Sequence, residues 1–96
     1  MTARYLVSFS DESLVDLADL AIRIAEDRGE AVADRYITHL ETYCRGLCLF
    51  PYRGHLHPGI APDQRVVGFE RRVSIYFRIV GDQVIIERLL YAGRQL

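Results

Sequence analysis

The spacing of apolar residues changes once along this chain, near Pro51, and the change limits the folds that the chain can adopt. After a short alternating segment at the start, apolar residues recur every three or four positions up to Cys48, which is typical of amphipathic helices. From Arg65 onward three short strand-like runs follow. In the middle run apolar residues alternate with polar ones, as they do in half-buried strands; the apolar residues are Val73, Ile75, Phe77 and Ile79. A helical part followed by a strand-rich part indicates an α+β fold.

The N-terminal part predicts one strand and one long helix. Residues 4–10 alternate between apolar and polar side chains and are interpreted as the first strand. Ser10 and Asp11 can accept hydrogen bonds from the free amides of a first helical turn, and Gly29 suits the backbone conformation that ends helices. The helix is therefore predicted over residues 11–28. Its predicted core residues are Leu14, Leu17, Ala18, Ala21, Ile24 and Ala25.

A second helix shows the most regular apolar spacing in the sequence. Its stripe consists of Ala33, Tyr36, Ile37, Leu40, Tyr43, Cys44, Leu47 and Cys48. Pro51 prevents continuation because proline lacks the amide hydrogen that a helix needs. Since so few residues separate the two helices at Gly29, they are expected to form an antiparallel hairpin. Residues 50–64 contain all three prolines and two glycines and are predicted to be a loop.

The remaining sequence predicts three strands, over residues 65–70, 72–80 and 83–91, with a tight turn at Gly81 and Asp82. The element order is then β-α-α-β-β-β. We expect a two-layer α+β fold in which the antiparallel helix hairpin packs on one face of a mainly antiparallel sheet. A chain of 96 residues has room for one core, so residues 1–96 are expected to form a single domain.

Charge is divided unevenly between the two halves of the chain. Residues 1–48 hold five Arg and nine Asp or Glu, a net charge of -4, whereas residues 49–96 hold seven Arg and four acids, a net charge of +3. All the basic residues except histidine are arginine, whose planar guanidinium suits carboxylates and phosphates. The pattern predicts an acidic helical layer and a basic sheet that contacts an acidic or polyanionic partner.

Several features together resemble one family of small bacterial toxins. They are the strand before a capped helix, the break at Gly29, the proline after the second helix, Arg65 at the start of the sheet, and the hairpin SIYFRIVGDQVIIERLLYAGR. This combination is similar to the ParE/RelE superfamily, and within it to ParE. The resemblance implies a toxin that inhibits DNA gyrase by binding, without chemistry of its own, and a ParD-like antitoxin that neutralises it. It implies no cofactor, and contact with DNA only through the antitoxin or gyrase.

The resemblance and the charge pattern suggest two sets of contact residues. The residues expected to face gyrase lie around the sheet and its C-terminal end, and are Arg71, Arg72, Arg78, Arg88, Tyr91 and Arg94. The residues expected to face the antitoxin are apolar side chains left outside the predicted core, namely Leu6, Val15 and Ile22.

Two alternatives remain open from the sequence. A ribosome-dependent messenger RNase of the RelE branch needs a cation for the phosphate and an acid for the leaving oxygen, and Arg65, Tyr91 and Arg94 are the available residues. Against that alternative, Val73 stands about where the branch places a cation on the middle strand. Arg71 and Arg72 are offset toward the preceding turn, from which either could still reach the phosphate. The third hypothesis is an inactive relative of the toxins that only binds an antitoxin.

A metal site and a membrane location are not expected. Cys44, Cys48, His55 and His57 have the residue types of a zinc site, but both cysteines lie on the apolar stripe of the second helix and are predicted to be core residues. No apolar run approaches the roughly 20 residues that cross a bilayer, and the first ten residues do not form the core of a signal peptide. The protein is therefore expected to be cytoplasmic.

Overall fold

The computed structural model of the chain describes residues 5–56 and 62–91. Its helices are α1 (Asp11–Arg28) and α2 (Glu30–Arg45), followed by one turn of 3-10 helix at Gly46–Cys48. Its strands are β1 (Leu6–Phe9), β2 (His55–Leu56), β3 (Arg65–Phe69), β4 (Val73–Val80) and β5 (Gln83–Tyr91). The predicted element order is confirmed, with one additional short strand, β2.

All five strands form a single sheet in the order β1-β5-β4-β3-β2. The first strand pairs with β5 in parallel, and every other neighbouring pair is antiparallel. Both helices pack on one face of this sheet, so the predicted two-layer α+β fold is confirmed. The parallel pair is possible because α1 and α2 lie between β1 and the other strands in the sequence and provide a long crossover.

The additional strand shows that the prediction of a loop over residues 50–64 was wrong at one place. Gly54 has a φ of +76°, and a side chain there would collide with the carbonyl of Val66. The close approach allows His55 to pair with Val66, and Leu56 with Arg65. Only glycine has no side chain and adopts this φ readily. Gly54 therefore lets the chain come close enough to β3 for the two residues after it to form the outermost strand of the sheet.

The bounds of α1 agree with the prediction, because local capping signals fix them. The Ser10 side chain accepts a hydrogen bond from the Ser13 amide at 3.0 Å. At the other end the Gly29 amide donates to the Ala25 carbonyl at 2.8 Å, and Gly29 has a φ of +96°. Gly29 lies directly between α1 and α2, which produces the predicted helix hairpin.

The core lies between the helices and the sheet, but α1 is rotated from the predicted orientation. The buried residues of α1 are Ser13, Leu17 and Leu20, whereas Leu14 is 49% exposed and Ala18 is exposed. The prediction of Leu14 and Ala18 as core residues was therefore wrong. The Ser13 hydroxyl donates to the Ser10 carbonyl at 2.8 Å, so this polar side chain is satisfied where the helix approaches the sheet.

A β-bulge changes which residues of β5 face the core. Tyr76 pairs with Arg88 and Phe77 with Ile86, which leaves Glu87 as an extra residue in β5. The core positions therefore step by two up to Ile86 and then by three to Leu89. Beyond the bulge, β5 directs its last residues toward the helix hairpin.

Candidate functional site

A cleft lies between the helix hairpin and the end of the sheet where β5 finishes, and its volume is about 520 Å³. Side chains from α1, α2, the β3–β4 turn and the end of β5 line it. They are Arg23, Ile24, Asp27, Arg28, Val32, Tyr36, Glu70, Arg72 and Tyr91. Asp27 and Glu70 offset part of the charge of the three arginines, and Arg28 lies 3.7 Å from Asp27. The lining keeps an excess of one positive charge beside apolar walls, so it can bind a group that combines negative charge with apolar surface.

The β3–β4 turn brings Arg71 and Arg72 to this end of the molecule. The Arg72 amide donates to the Phe69 carbonyl at 3.0 Å, which closes the turn. Glu70 and Arg71 have φ values of 52° and 60°, in the left-handed region that non-glycine residues seldom occupy. Arg72 lines the cleft, while Arg71 is exposed beside it. Strained backbone of this kind is concentrated at functional sites.

Two tyrosines form the inner part of the cleft. The ring of Tyr36 packs edge-on against Phe69, with ring centroids 5.6 Å apart. Its hydroxyl oxygen is buried and has no hydrogen-bond partner among the described residues. Burial raises the pKa of Tyr36, and the nearby Glu70 and Tyr91 act in the same direction while Arg72 opposes them. The hydroxyl therefore remains a neutral donor that lacks an acceptor.

A second, smaller cavity of about 250 Å³ continues from the cleft along α1. Arg23 and Tyr91 line both cavities. The other residues that line the smaller cavity are Val15, Asp16, Asp19, Leu20, Arg88, Leu89 and Leu90. The outer surface of α1 is thus continuous with the cleft that holds Tyr91.

Two arginines that were expected to face gyrase are held by carboxylates of this chain. Arg78 Nε donates to the bulge residue Glu87 at 3.0 Å, and a second Arg78 nitrogen lies 3.8 Å from Asp63. Arg88 donates to both carboxylate oxygens of Asp16, at 2.7 and 3.0 Å. These pairs fix both guanidinium groups in place within the fold.

The residues named for the RNase alternative are not all brought together. Tyr91 pairs with Val73 beside the end of β3, whereas Arg65 begins β3 opposite Phe77. Four residues of strand separate these positions, roughly 13 Å. Arg65 instead donates to the backbone carbonyls of Tyr52 and Arg53, each at 3.2 Å.

Other sequence predictions for site residues have mixed outcomes. Cys44 is buried in the core and Cys48 is half-buried in the 3-10 turn. Arg94 and His57 lie outside the described residues. No helix in the described ranges is both long enough and apolar enough to cross a membrane.

The three residues expected to face an antitoxin are all exposed. Leu6 is 62% exposed, and Val15 and Ile22 are each 58% exposed. Sequence reasoning missed Leu14, which extends this apolar surface of α1, and it missed Arg23 and Tyr36 in the cleft. Leu14 fits the spacing of the predicted core stripe. Because two apolar stripes on one helix overlap in spacing, the sequence does not show which of them is exposed.

Comparison with known proteins agrees with the fold and identifies the family. The chain is similar to a protein in the structure of the chromosomal ParDE toxin–antitoxin system from P. aeruginosa, with a TM-score of 0.82 and 18% identity over 96% of this chain and 100% of that one. It is also similar to a chain of the RelBE2 toxin–antitoxin complex from Mycobacterium tuberculosis, with a TM-score of 0.69 and 19% identity over 98% of each chain.

Sequence comparison extends the result beyond fold. No curated protein matches the chain significantly. The family model for the ParE toxin of the type II toxin–antitoxin system parDE, however, matches residues 7–96, which include both helices, all of the sheet except Leu6, and the cleft between them. The chain therefore belongs to the ParE toxin family of type II toxin–antitoxin systems.

Proposed function

We propose that this toxin inhibits DNA gyrase by binding to it, and that a ParD-like antitoxin neutralises it. The observation that carries the choice of binding over RNA cleavage is the burial of Val73, which is 2% exposed and packs in the core. The middle strand thus offers an apolar core side chain at the position where the RNase alternative needs a cation. Together with the distance of Arg65 from Tyr91, this supports recognition without catalysis.

The gyrase-contacting surface in this proposal centres on the β3–β4 turn and the end of β5. Arg71 and Arg72 are exposed there, and Tyr91 is half-buried beside them. The guanidinium groups of Arg71 and Arg72 make no ion pair with the described residues, in contrast to those of Arg78 and Arg88. Arg78, Arg88 and Arg94 complete the proposed set, although Glu87 and Asp16 offset the charges of Arg78 and Arg88, which therefore contribute less than Arg71 and Arg72.

The antitoxin in this proposal binds the exposed apolar surface of α1, which includes Val15 and Ile22. Leu6 lies on the face of the edge strand β1 that points away from the helices, so the antitoxin reaches it only by passing around that edge. An amphipathic partner helix buries its own apolar face on such a surface. Because Val15 lines the smaller cavity and Tyr91 lines both cavities, a segment seated along α1 also covers the entrance to the cleft. Neutralisation then follows from blocking the surface that gyrase contacts.

The proposal is tested with purified protein in two assays, gyrase supercoiling and cleavage of messenger RNA on translating ribosomes. We expect inhibition of supercoiling and intact messenger RNA. Tyr91→Phe removes only the hydroxyl, so loss of one hydrogen bond should weaken inhibition by a factor of about 2 to 10. If Tyr91 were a general acid, the same change would lower cleavage by about 100-fold or more.

Arg72→Ala tests the charge in the cleft, and Arg35→Ala, on an exposed part of α2, is the matched control. We expect Arg72→Ala to weaken gyrase inhibition and Arg35→Ala to leave it unchanged. Cleavage of message without inhibition of gyrase would support the RNase alternative. Binding to an antitoxin with neither activity would support the inactive relative, and the product of the neighbouring gene is the antitoxin to use.

A further inference from the structure

A second exposed surface lies at the end of the sheet where β3 begins, away from the cleft. We call it the aromatic–arginine surface, and it consists of Leu49, Phe50, Tyr52, Arg53, Leu56 and Arg65. Its four apolar members are each more than half exposed, and Phe50 is 67% exposed. Exposed apolar residues grouped in this way mark interaction sites on soluble domains. Neither the antitoxin surface nor the cleft proposed above includes any of these residues.

This surface is held in place by the fold. The Arg65 side chain donates to the carbonyls of Tyr52 and Arg53, and its guanidinium lies 5.7 Å from the centre of the Tyr52 ring. Tyr5 packs edge-on against the same ring, with centroids 6.4 Å apart. Pro51 is buried, so the segment is anchored between its exposed members. The fold thus holds Tyr52 and Arg65 in a fixed arrangement beside the exposed apolar side chains, which reduces the entropy that these two residues lose on binding.

The segment that carries this surface is positively charged. Residues 42–56 include Arg45, Arg53 and His55 but no Asp or Glu, and the acids that follow and precede it in the sequence are Asp63 and Glu41. Three arginines nearby lie over aromatic rings, Arg45 over Phe9, Arg53 over Tyr43 and Arg65 over Tyr52. Within the described part of the chain, none of these three guanidinium groups is paired with a carboxylate. Apolar contact area beside unneutralised cations is complementary to a segment that is both apolar and acidic.

We propose that the aromatic–arginine surface binds an acidic segment of another protein, in which Asp or Glu alternates with Leu or aromatic residues. The apolar side chains of that segment pack on Leu49, Phe50 and Leu56. Its carboxylates pair with Arg53 and Arg65, which are already oriented by aromatic rings and backbone carbonyls.

Two other partners fit the surface less well. A second copy of this chain, placed by a two-fold axis, would bring Arg53 and Arg65 of each copy close to those of the other, and like charges repel. Single-stranded nucleic acid binds by stacking bases on open aromatic faces. On this surface the guanidinium of Arg65 covers Tyr52, and the leucines carry no ring, so Phe50 is left as a single open aromatic face where successive bases need several.

The experiment uses three probes with isotope-labelled protein, and follows amide chemical shifts. The probes are a short peptide in which Glu alternates with Leu and Phe, the same peptide with Lys in place of Glu, and an oligothymidylate. We expect the acidic peptide to shift the amides of residues 49–50, 52–56 and Arg65, with an affinity that falls as salt is raised. The lysine peptide and the oligothymidylate should cause no shifts at these residues.

The double substitution Leu49→Ser and Phe50→Ser should weaken binding of the acidic peptide about tenfold or more, because it removes the central apolar contacts. Val80→Ser, which alters an exposed apolar residue outside the surface, is the matched control and should leave the affinity unchanged. Unchanged melting temperatures confirm that each variant is folded. Absence of peptide binding, shifts confined to the cleft, equal binding of the lysine peptide, or tighter binding of the oligothymidylate would each overturn the proposal.

Discussion

Asp16 on α1 binds Arg88 on β5 through two hydrogen bonds, and the same carboxylate accepts the backbone amide of Leu89 at 2.9 Å. The pairing of β1 with β5 reaches only to Phe9 and Ile86. Beyond that point Ser10 donates to the Ile86 and Glu87 carbonyls, and Asp16 then takes the next amide. The start of α1 therefore replaces a strand as the hydrogen-bonding partner of the β5 edge.

This contact connects the proposed antitoxin surface of α1 with the end of the sheet that holds Tyr91. Arg88 and Leu89 line the smaller cavity together with Asp16 and Val15. The hydrogen bond to Asp16 raises the pKa of Arg88, which keeps the guanidinium charged. The pair thus acts as a structural link, and its strength decides how firmly the last residues of β5 are held.

The first prediction concerns this link. Asp16→Ala leaves the Leu89 amide without its acceptor and Arg88 without its carboxylate, so we expect the free energy of unfolding to fall by about 2 kcal/mol. Asp19→Ala, on an exposed turn of the same helix, is the control and should change it by about 0.5 kcal/mol or less. Urea denaturation measures both. Equal stability of the two variants would show that the contact is not important for folding.

The sequence predicted the fold well because the signals for it are local. Ser10 and Gly29 fix the ends of α1 through bonds to residues within four positions, and alternation identifies β4 without knowledge of its partners. The bulge at Glu87 could not be predicted in this way, because Val84, Ile85 and Ile86 are consecutive apolar residues and β5 does not alternate. The strand β2 was missed because it depends on one contact between Gly54 and Val66.

The site was less predictable because its contacts are distant in sequence. Arg88 looked like a free cation, but its partner Asp16 is 72 positions away along the chain. Arg23 and Tyr36 reach the cleft only because the hairpin folds back beside the β3–β4 turn. By contrast, Val15 and Ile22 were identified as exposed because a long helix leaves apolar residues on more than one face.

The second prediction concerns the buried thiol of Cys44. Burial, aided by the Glu41 carboxylate, raises the pKa of Cys44 to about 12 from 9.0. Between these values the unfolded state loses the proton while the folded state keeps it, so the free energy of unfolding falls as pH rises above 9. From pH 8 to pH 10 we expect wild-type protein to lose about 1 kcal/mol more than Cys44→Ala, as measured by urea denaturation.

Cys48→Ala is the control for this experiment, because Cys48 is only half-buried. It should retain the same pH dependence as the wild type. Cys44→Ala should itself cost about 1 to 2 kcal/mol at pH 7 through lost packing. The same slope in Cys44→Ala and the wild type would mean that the thiol is not buried in the folded state.

The third prediction tests why β2 forms. Gly54→Ala places a methyl group against the Val66 carbonyl at a positive φ, so we expect a loss of about 2 kcal/mol or more and weaker protection of the amides around His55 from hydrogen exchange. Gly81 also has a positive φ, but a methyl group there meets no other atom within 4 Å. Gly81→Ala should therefore cost only about 1 kcal/mol. Equal costs would show that backbone strain alone, without the contact to Val66, explains the glycine at position 54.

The fourth prediction separates strain from function in the β3–β4 turn. Glu70 and Arg71 occupy the left-handed region side by side, and only Arg71 belongs to the proposed gyrase-contacting set. Glycine relieves the backbone strain at either position, but it also raises the conformational entropy of the unfolded chain, which partly offsets the gain. Both Glu70→Gly and Arg71→Gly should therefore stabilise the protein by about 0.5 kcal/mol.

The two glycine variants should differ in activity even though they match in stability. We expect Arg71→Gly to inhibit gyrase supercoiling less than the wild type, because it removes an exposed guanidinium at the contact surface. Glu70→Gly should inhibit at least as well as the wild type, since it removes a carboxylate that opposes an acidic target. If both variants inhibit equally, Arg71 makes no contact with gyrase, and the strained turn serves only to position Arg72 in the cleft.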